Sequence, residues 1–278
     1  MALTEPGGRL TEPSSGSRRT LSRMSAPSRG PSFRRLASLP ILLAAVLLVA
    51  AAGVPAATNA SSDGFRLDVS RDGDFVAQTN FVQCVGASMQ MMLNMIRTSD
   101  DRTAGTQLSL QKLARGLSGE RPDGRIRQGA SVRGWSAGLT QLDAGPYKLA
   151  GTTTIDEALR LAAKSIRETG RPVGLLMWQG RHAWVMSGFK ATADPRQTND
   201  FRVTEAIVLD PLYPYGSRKW GPSPKPGDAL TVAELGRQFV PRRSGASASL
   251  WLAGFGGKYV IVMPYELREV ARYRAVAV

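Results

Sequence analysis

The sequence predicts an α+β protein in which helices come first and an antiparallel sheet second. Two observations carry that expectation. From Cys84 to Gly170 apolar residues recur three and four apart, the spacing of a buried helix face. After Arg171 the pattern changes to short apolar runs bounded by turn residues, the mark of strands. No phosphate-cradling or dinucleotide glycine pattern and no internal repeat appears, so alternating βαβ units are not expected. A third observation joins fold to chemistry. The only cysteine, Cys84, opens a helical run, and the only histidine, His182, starts a strand.

The first sixty residues stand apart. Residues 1–35 are rich in Ser, Pro, Gly and Arg without hydrophobic periodicity, and are expected to be disordered. Ile41 to Val54 is almost wholly apolar, flanked by Pro40 and Pro55, and followed by small residues suited to cleavage after Ala56 or Ala60. That apolar core falls short of the roughly 20 residues a membrane span needs, which favours a cleaved signal peptide over an anchor through residues 39–57. Arg18-Arg19 and Arg34-Arg35 are weak twin-arginine signals. Either route puts residues 61–278 outside the cytoplasm, secreted or at the cell surface.

Within 61–278, FVAQTN (75–80) reads as a short strand or turn, and Cys84 to Ile96 as a helix with Val85, Met89, Met92, Leu93 and Ile96 along one side. SLQKLARGL (109–117) reads as a second helix capped by Ser109, and SVRGWSAGLTQL (131–142) as a third, weakened by two glycines. Residues 118–133 read mostly as a loop. TTTIDEALRLAAKSIRETG (152–170) is the clearest helix, with acidic residues in its first turns and Gly170 as its stop. Strands are expected over 171–179, 181–191, 201–211 and 257–264, with a Pro/Gly-rich loop after Asp210 and a short helix over 231–240.

The net charge is +14, of which +5 lies up to residue 60 and +9 in the remainder. The basic residues of that remainder are dispersed, without the basic stripe and interleaved aromatics of a nucleic-acid surface, so no nucleic-acid partner is expected. With one cysteine an intrachain disulfide and a CxxC metal site are impossible, and no metal or other cofactor is expected.

The chemistry follows from four residues. A thiol attacks as thiolate, and a helix N-terminus and an imidazolium both favour that form; Cys84 has the first and His182 can supply the second. If the loop after 181–190 is centred near Arg196, antiparallel register sets His182 directly opposite Asp210, where a carboxylate can orient the imidazole. The oxyanion of a tetrahedral intermediate needs donors. The backbone N–H of Cys84 is one, and the side-chain amide of Gln78 is the other candidate. Each residue has a plain alternative: a small buried Cys, a satisfied strand His, an Asp-Pro turn, a surface Gln. Trp184 shares strand parity with His182 and could wall the site, although core packing is its expected role; Trp220, in the loop after Asp210, could shield the His–Asp pair from water, and its role is left open.

A glutamine six residues before a cysteine that opens a helix, then His in HAWVMSGF and then Asp-Pro after a strand, resembles the papain-like cysteine peptidases. The pattern is most similar to the bacterial C39-like peptidases, with RPVGLLMWQGRHAWVMSGF the strongest match. The resemblance spans roughly residues 75–265. It implies a papain-like fold, a helical N-terminal half carrying the nucleophile on a C-terminal antiparallel sheet. It also implies Cys84 as nucleophile, His182 as general base and acid, Asp210 as orienter and Gln78 in the oxyanion hole, with a peptide or protein substrate. Val85-Gly86 departs from the family's Gly-Pro, whereas Ala87-Ser88 fits. Acyl transfer or cell-wall peptide cleavage by the same relay is an alternative, as is a non-enzymatic binding module; the joint presence of all four residues argues against the last.

Overall fold

A computed structural model describes residues 64–98, 100–120, 124, 128–244 and 254–266. The chain divides into two compact units, Met1–Ala57 and Thr58–Val278, and every described residue belongs to the second. The expected disordered region and export segment of residues 1–60 lie outside the described residues. None of the described helices is long and apolar enough to cross a membrane.

The order of elements is β1 (Phe65–Asp68), α1 (Cys84–Arg97), α2 (Ala104–Gly116), α3 (Val132–Gln141), β2 (Tyr147–Thr152), α4 (Ile155–Thr169), β3 (Val173–Met177), β4 (His182–Ala191), β5 (Val203–Leu209), β6 (Gly216–Ser217), β7 (Gly221–Pro222), β8 (Asp228–Thr231), α5 (Val232–Gly236) and β9 (Tyr259–Pro264). The fold is α+β. Seven strands make one antiparallel sheet in the order β2-β9-β3-β4-β5-β8, and β1 adds to β4 beyond the end of β3. β4 is the hub: β3 pairs with its first half, β1 with its second, and β5 runs along its other side.

Helices cover both faces of the sheet. Ala183 and Val185 of β4 join Met89, Met92, Trp135 and Leu139 in one core, beneath α1–α3. Trp184 and Met186 join Leu159, Ala162, Ile166 and Phe239 in the other, beneath α4 and α5. Strands covered on both sides read as continuous apolar runs, which explains why β3 and β4 lack strict alternation. The helices therefore do not form a single layer on the sheet, since α4 lies across from α1–α3.

Local chemistry sets the element ends. α4 has a full capping box, Thr154 with Glu157, and ends at Gly170 in the left-handed conformation (φ +65°). α2 begins at Ala104 and not at 109. Its cap is Thr103, whose side chain accepts from the Thr106 amide, while Ser109 sits inside the helix and donates to the Gly105 carbonyl. A polar first turn containing Gly105 hid that start. FVAQTN is irregular and makes no strand; β1, β2 and β8 were not anticipated, and a two-residue ladder, β6–β7, lies within the Pro/Gly-rich loop.

α3 packs against the end of α2 at Gly134. A methyl group there would collide with the backbone carbonyl oxygen of Ala114, a buried residue inside α2, which cannot easily retreat. Gly134→Ala is accordingly expected to destabilise the fold by about 1–3 kcal/mol. That exceeds the gain of up to about 1 kcal/mol that alanine normally brings a helix. Urea unfolding checks this, and an unchanged or raised midpoint would refute the close approach.

Candidate active site

Cys84 is the first residue of α1 and is partly exposed. The helix has no side-chain cap of its own; Gln83 holds the cap position without a capping hydrogen bond. A neighbouring helix caps it instead. Gln111 of α2 accepts from the Gly86 amide through Oε1 (2.9 Å) and donates through Nε2 to the Val82 carbonyl (2.8 Å). One turn earlier Gln107 does the same for the preceding loop, donating to Ala77 O (3.0 Å) and accepting from the Thr79 amide (2.8 Å). These two glutamines, four apart on one face of α2, hold the segment that delivers the thiol. Gly86 lets α2 come this close, since a Cβ there would stand 2.7 Å from Gln107 O. Ala87 N already bonds Gln83 O. Among the described residues, no hydrogen bond occupies the amides of Cys84 and Val85.

His182 opens β4, opposite Met177 of β3. Its Nε2 lies 2.6 Å from Asp210 Oδ1, and the two side chains are only 4% and 0% exposed. The register differs from the expected one. Val185 pairs with Leu209 and Met186 with Val208, so Asp210, next along the chain, falls opposite Trp184 and not His182. The connecting loop is centred one residue later than expected, which shifts the pairing by two. Because a shift of two preserves the face, His182 and Asp210 still meet, along the diagonal. The Asp210 carboxylate also accepts from the Leu212 amide (2.8 Å), which fixes its direction, while its Oδ2 is buried without a partner.

With Nε2 turned to Asp210, Nδ1 is the nitrogen left for the thiol. Burial alone would push the imidazole pKa down. Hydrogen bonds with Asp210 and Cys84, together with their negative charge, overcome it and raise the pKa to about 9. The imidazole is thus built to stay protonated at neutral pH.

The side chain that covers His182 is Trp178, not Trp184 or Trp220. Its ring stacks on the imidazole, with centroids 4.1 Å apart and planes 22° from parallel. Gln238 holds it, accepting from Trp178 Nε1 (2.8 Å) and, through its backbone carbonyl, from the Trp178 amide (3.0 Å). Trp184 is wholly buried in the core under α4. Trp220 is partly buried and packs under Lys219.

Cys84 and His182 line one cleft of about 470 Å³ with Phe81, Val132, Trp135 and Arg181. Gln78 is not part of that lining. Its backbone amide bonds Pro211 O (2.7 Å), beside Asp210, but its side-chain Nε2 donates to Asn80 O (2.9 Å) within its own loop, and its Oε1 is buried without a partner. Three of the four candidate residues therefore come together, and the fourth lies on the adjoining loop with its amide engaged elsewhere. Trp178 was legible only as an aromatic before the turn; Gln107, Gln111 and Gln238 carried no local signal. Among the described residues no group of His, Cys, Asp or Glu is arranged to hold a metal ion.

No protein-family model matches the chain, and no curated protein matches it in sequence.

The raised proton affinity of His182 has a signed consequence. In the unfolded chain its pKa is near 6.5 and in the folded protein about 9. Between those values the folded state binds more protons, so stability falls as pH rises. The contribution is complete below pH 6.5 and lost above about pH 9. Chemical denaturation from pH 6 to 10 should show this decline, and His182→Gln should flatten it. An equal decline in both proteins would refute the assignment.

Proposed function

We propose that this chain is a thiol hydrolase of papain-like fold, akin to the bacterial C39-like peptidases, that cleaves peptide or isopeptide bonds outside the cytoplasm. The observation that carries the reading is the buried His182–Asp210 pair on the cleft that holds the helix-terminal Cys84. A cysteine packed only as a small core residue has no need of a protonated imidazole beside it.

In the resting state the proton resides on His182 and the thiol sulfur carries the negative charge. The sulfur attacks the carbonyl carbon, forming a C–S bond as the carbonyl electron pair moves to oxygen. The Cys84 amide, unoccupied by any other described group, faces that oxyanion as the start of a helix should. The oxyanion collapses, the C–N bond breaks, and His182 gives its proton to the departing nitrogen, leaving a thioester and a free amine. Water then adds to the thioester while His182 takes its proton. The C–S bond breaks, the acid departs, and the thiolate–imidazolium pair is restored. Asp210 keeps Nδ1 directed at sulfur throughout by holding Nε2, and Trp178 shields that bond from water. Gln78 enters the oxyanion hole in this reading by releasing Asn80 and turning its amide to the cleft, a donor that substrate binding would recruit.

Alkylation of full-length protein with iodoacetamide across pH 5–9 tests the ion pair. Cys84 should react well below pH 8, and His182→Ala should abolish that low-pH reactivity. Hydrolysis of a peptide library should vanish in Cys84→Ala, and kcat/KM should decline above about pH 9, where His182 loses the proton that the leaving amine requires. A Cys84 that titrates like a free thiol in the wild type would sink the reading.

A further inference from the structure

Trp178, Gln179 and Gly180 are three consecutive residues in the left-handed region, with φ of +55°, +59° and +97°. Two of them carry side chains, and such backbone persists only where its surroundings hold it. The surroundings do. The Met177 carbonyl accepts from the amides of both Gly180 and Arg181, at 2.9 and 3.0 Å. Gln238 grips Trp178 at backbone and side chain, and Gln179 O accepts from the Arg243 amide (3.3 Å). A Cβ at Gly180 would press within 3.3 Å of Arg242 Cγ. The turn is pinned on every side, and what it presents to the cleft is Arg181 followed by His182.

Arg181 is exposed, and no ion pair or side-chain hydrogen bond engages its guanidinium among the described residues. Among the described residues no Asp or Glu lines the cleft. Its other lining residues include Phe81, Val132 and Trp135. Among the described residues Arg181 and His182 are the two basic side chains of the cleft, and they are neighbours.

We propose that Arg181 is a specificity-determining residue that binds a carboxylate on the leaving-group side of a peptide substrate. The inference rests on the hydrolase reading for the word "leaving". His182 must deliver its proton to the departing nitrogen, so the departing segment passes over the imidazole and onto the turn that carries it. A guanidinium carried there on a pinned backbone, with its fork of donors unspent, recognises a carboxylate in two-point fashion without first breaking an internal ion pair. Both an acidic side chain and a chain-terminal carboxylate supply that group.

Iodoacetate and iodoacetamide form a matched anionic and neutral pair that alkylate the same sulfur, each forming a C–S bond and releasing iodide. Their rate ratio at Cys84 measures the cationic subsite whether or not any peptide is turned over. Wild type and Arg181→Lys should favour iodoacetate relative to a small free thiol. Arg181→Gln should lower the ratio by about fivefold at low salt and Arg181→Glu further, with the difference shrinking as salt rises. A ratio unchanged across the four proteins overturns the proposal. A ratio that follows residue 181 while low-pH reactivity ignores His182 keeps the subsite but sinks the hydrolase reading; a Cys84 inert to both reagents overturns both. Three blocked tripeptides separate the two sources by their protection of Cys84 from iodoacetamide. One has a central aspartate, one bears only a terminal carboxylate, and one has neither. Protection by the first alone assigns a side chain, and protection by the second alone assigns a chain end. Equal protection by all three overturns carboxylate recognition.

Discussion

A carboxylate and an imidazole almost fully removed from water are the constraint to which this architecture answers. Each ion loses hydration worth several kcal/mol, and the mutual attraction repays this only if the two are held in register and otherwise satisfied. Register is supplied by adjacent strands, since His182 opens β4 and Asp210 directly follows β5, while Asp210 Oδ2 stays buried without a described partner. The Leu212 amide secures one side of the carboxylate, and the stacked Trp178 closes the other side of the ring. Removing either ionic partner would leave the other buried alone, so the central strands and their turns have little freedom to drift.

The thiol half of the site is held by different physics. α1 lacks a cap of its own, and its first amides would be orphaned at a buried helix end. Gln111 on α2 satisfies one of them, at Gly86, and donates to the loop before the thiol, which Gln107 holds one turn earlier. The two helices can only do this because residue 86 is glycine. The amides left over belong to Cys84 and Val85, two residues that line the cleft. An arrangement that saturated them would leave fewer orphaned donors at the start of the helix.

Much of this was legible in the sequence because it is written at short range. The helix from Cys84, the strand from His182 and the strand ending before Asp210 all follow from apolar period and turn residues. The pairing was misjudged by two positions because two irregularities in the β4–β5 ladder and the loop centre are set by tertiary context. It mattered little, because parity survives an even shift. What could not be read were contacts between elements far apart in sequence: Gln107 and Gln111 reaching the 77–83 loop, and Gln238 reaching Trp178. An interior glutamine looks the same in a sequence as a surface one. Gln78 illustrates the converse, since its spacing from Cys84 is right while its amide is spent on Asn80.

β4 is paired on both edges and covered on both faces, whereas the chain before Cys84 is a loop with Phe81 largely exposed. The two halves of the site therefore belong to regions of unequal local stability. In hydrogen exchange, the amides around Ala183 to Met186 should open only with the whole domain. Those of Phe81 to Val85 should open by small local excursions. Cys84 can thus part from His182, and return, while the fold stays intact, so their approach is an equilibrium that anything clamping the 77–83 loop would strengthen.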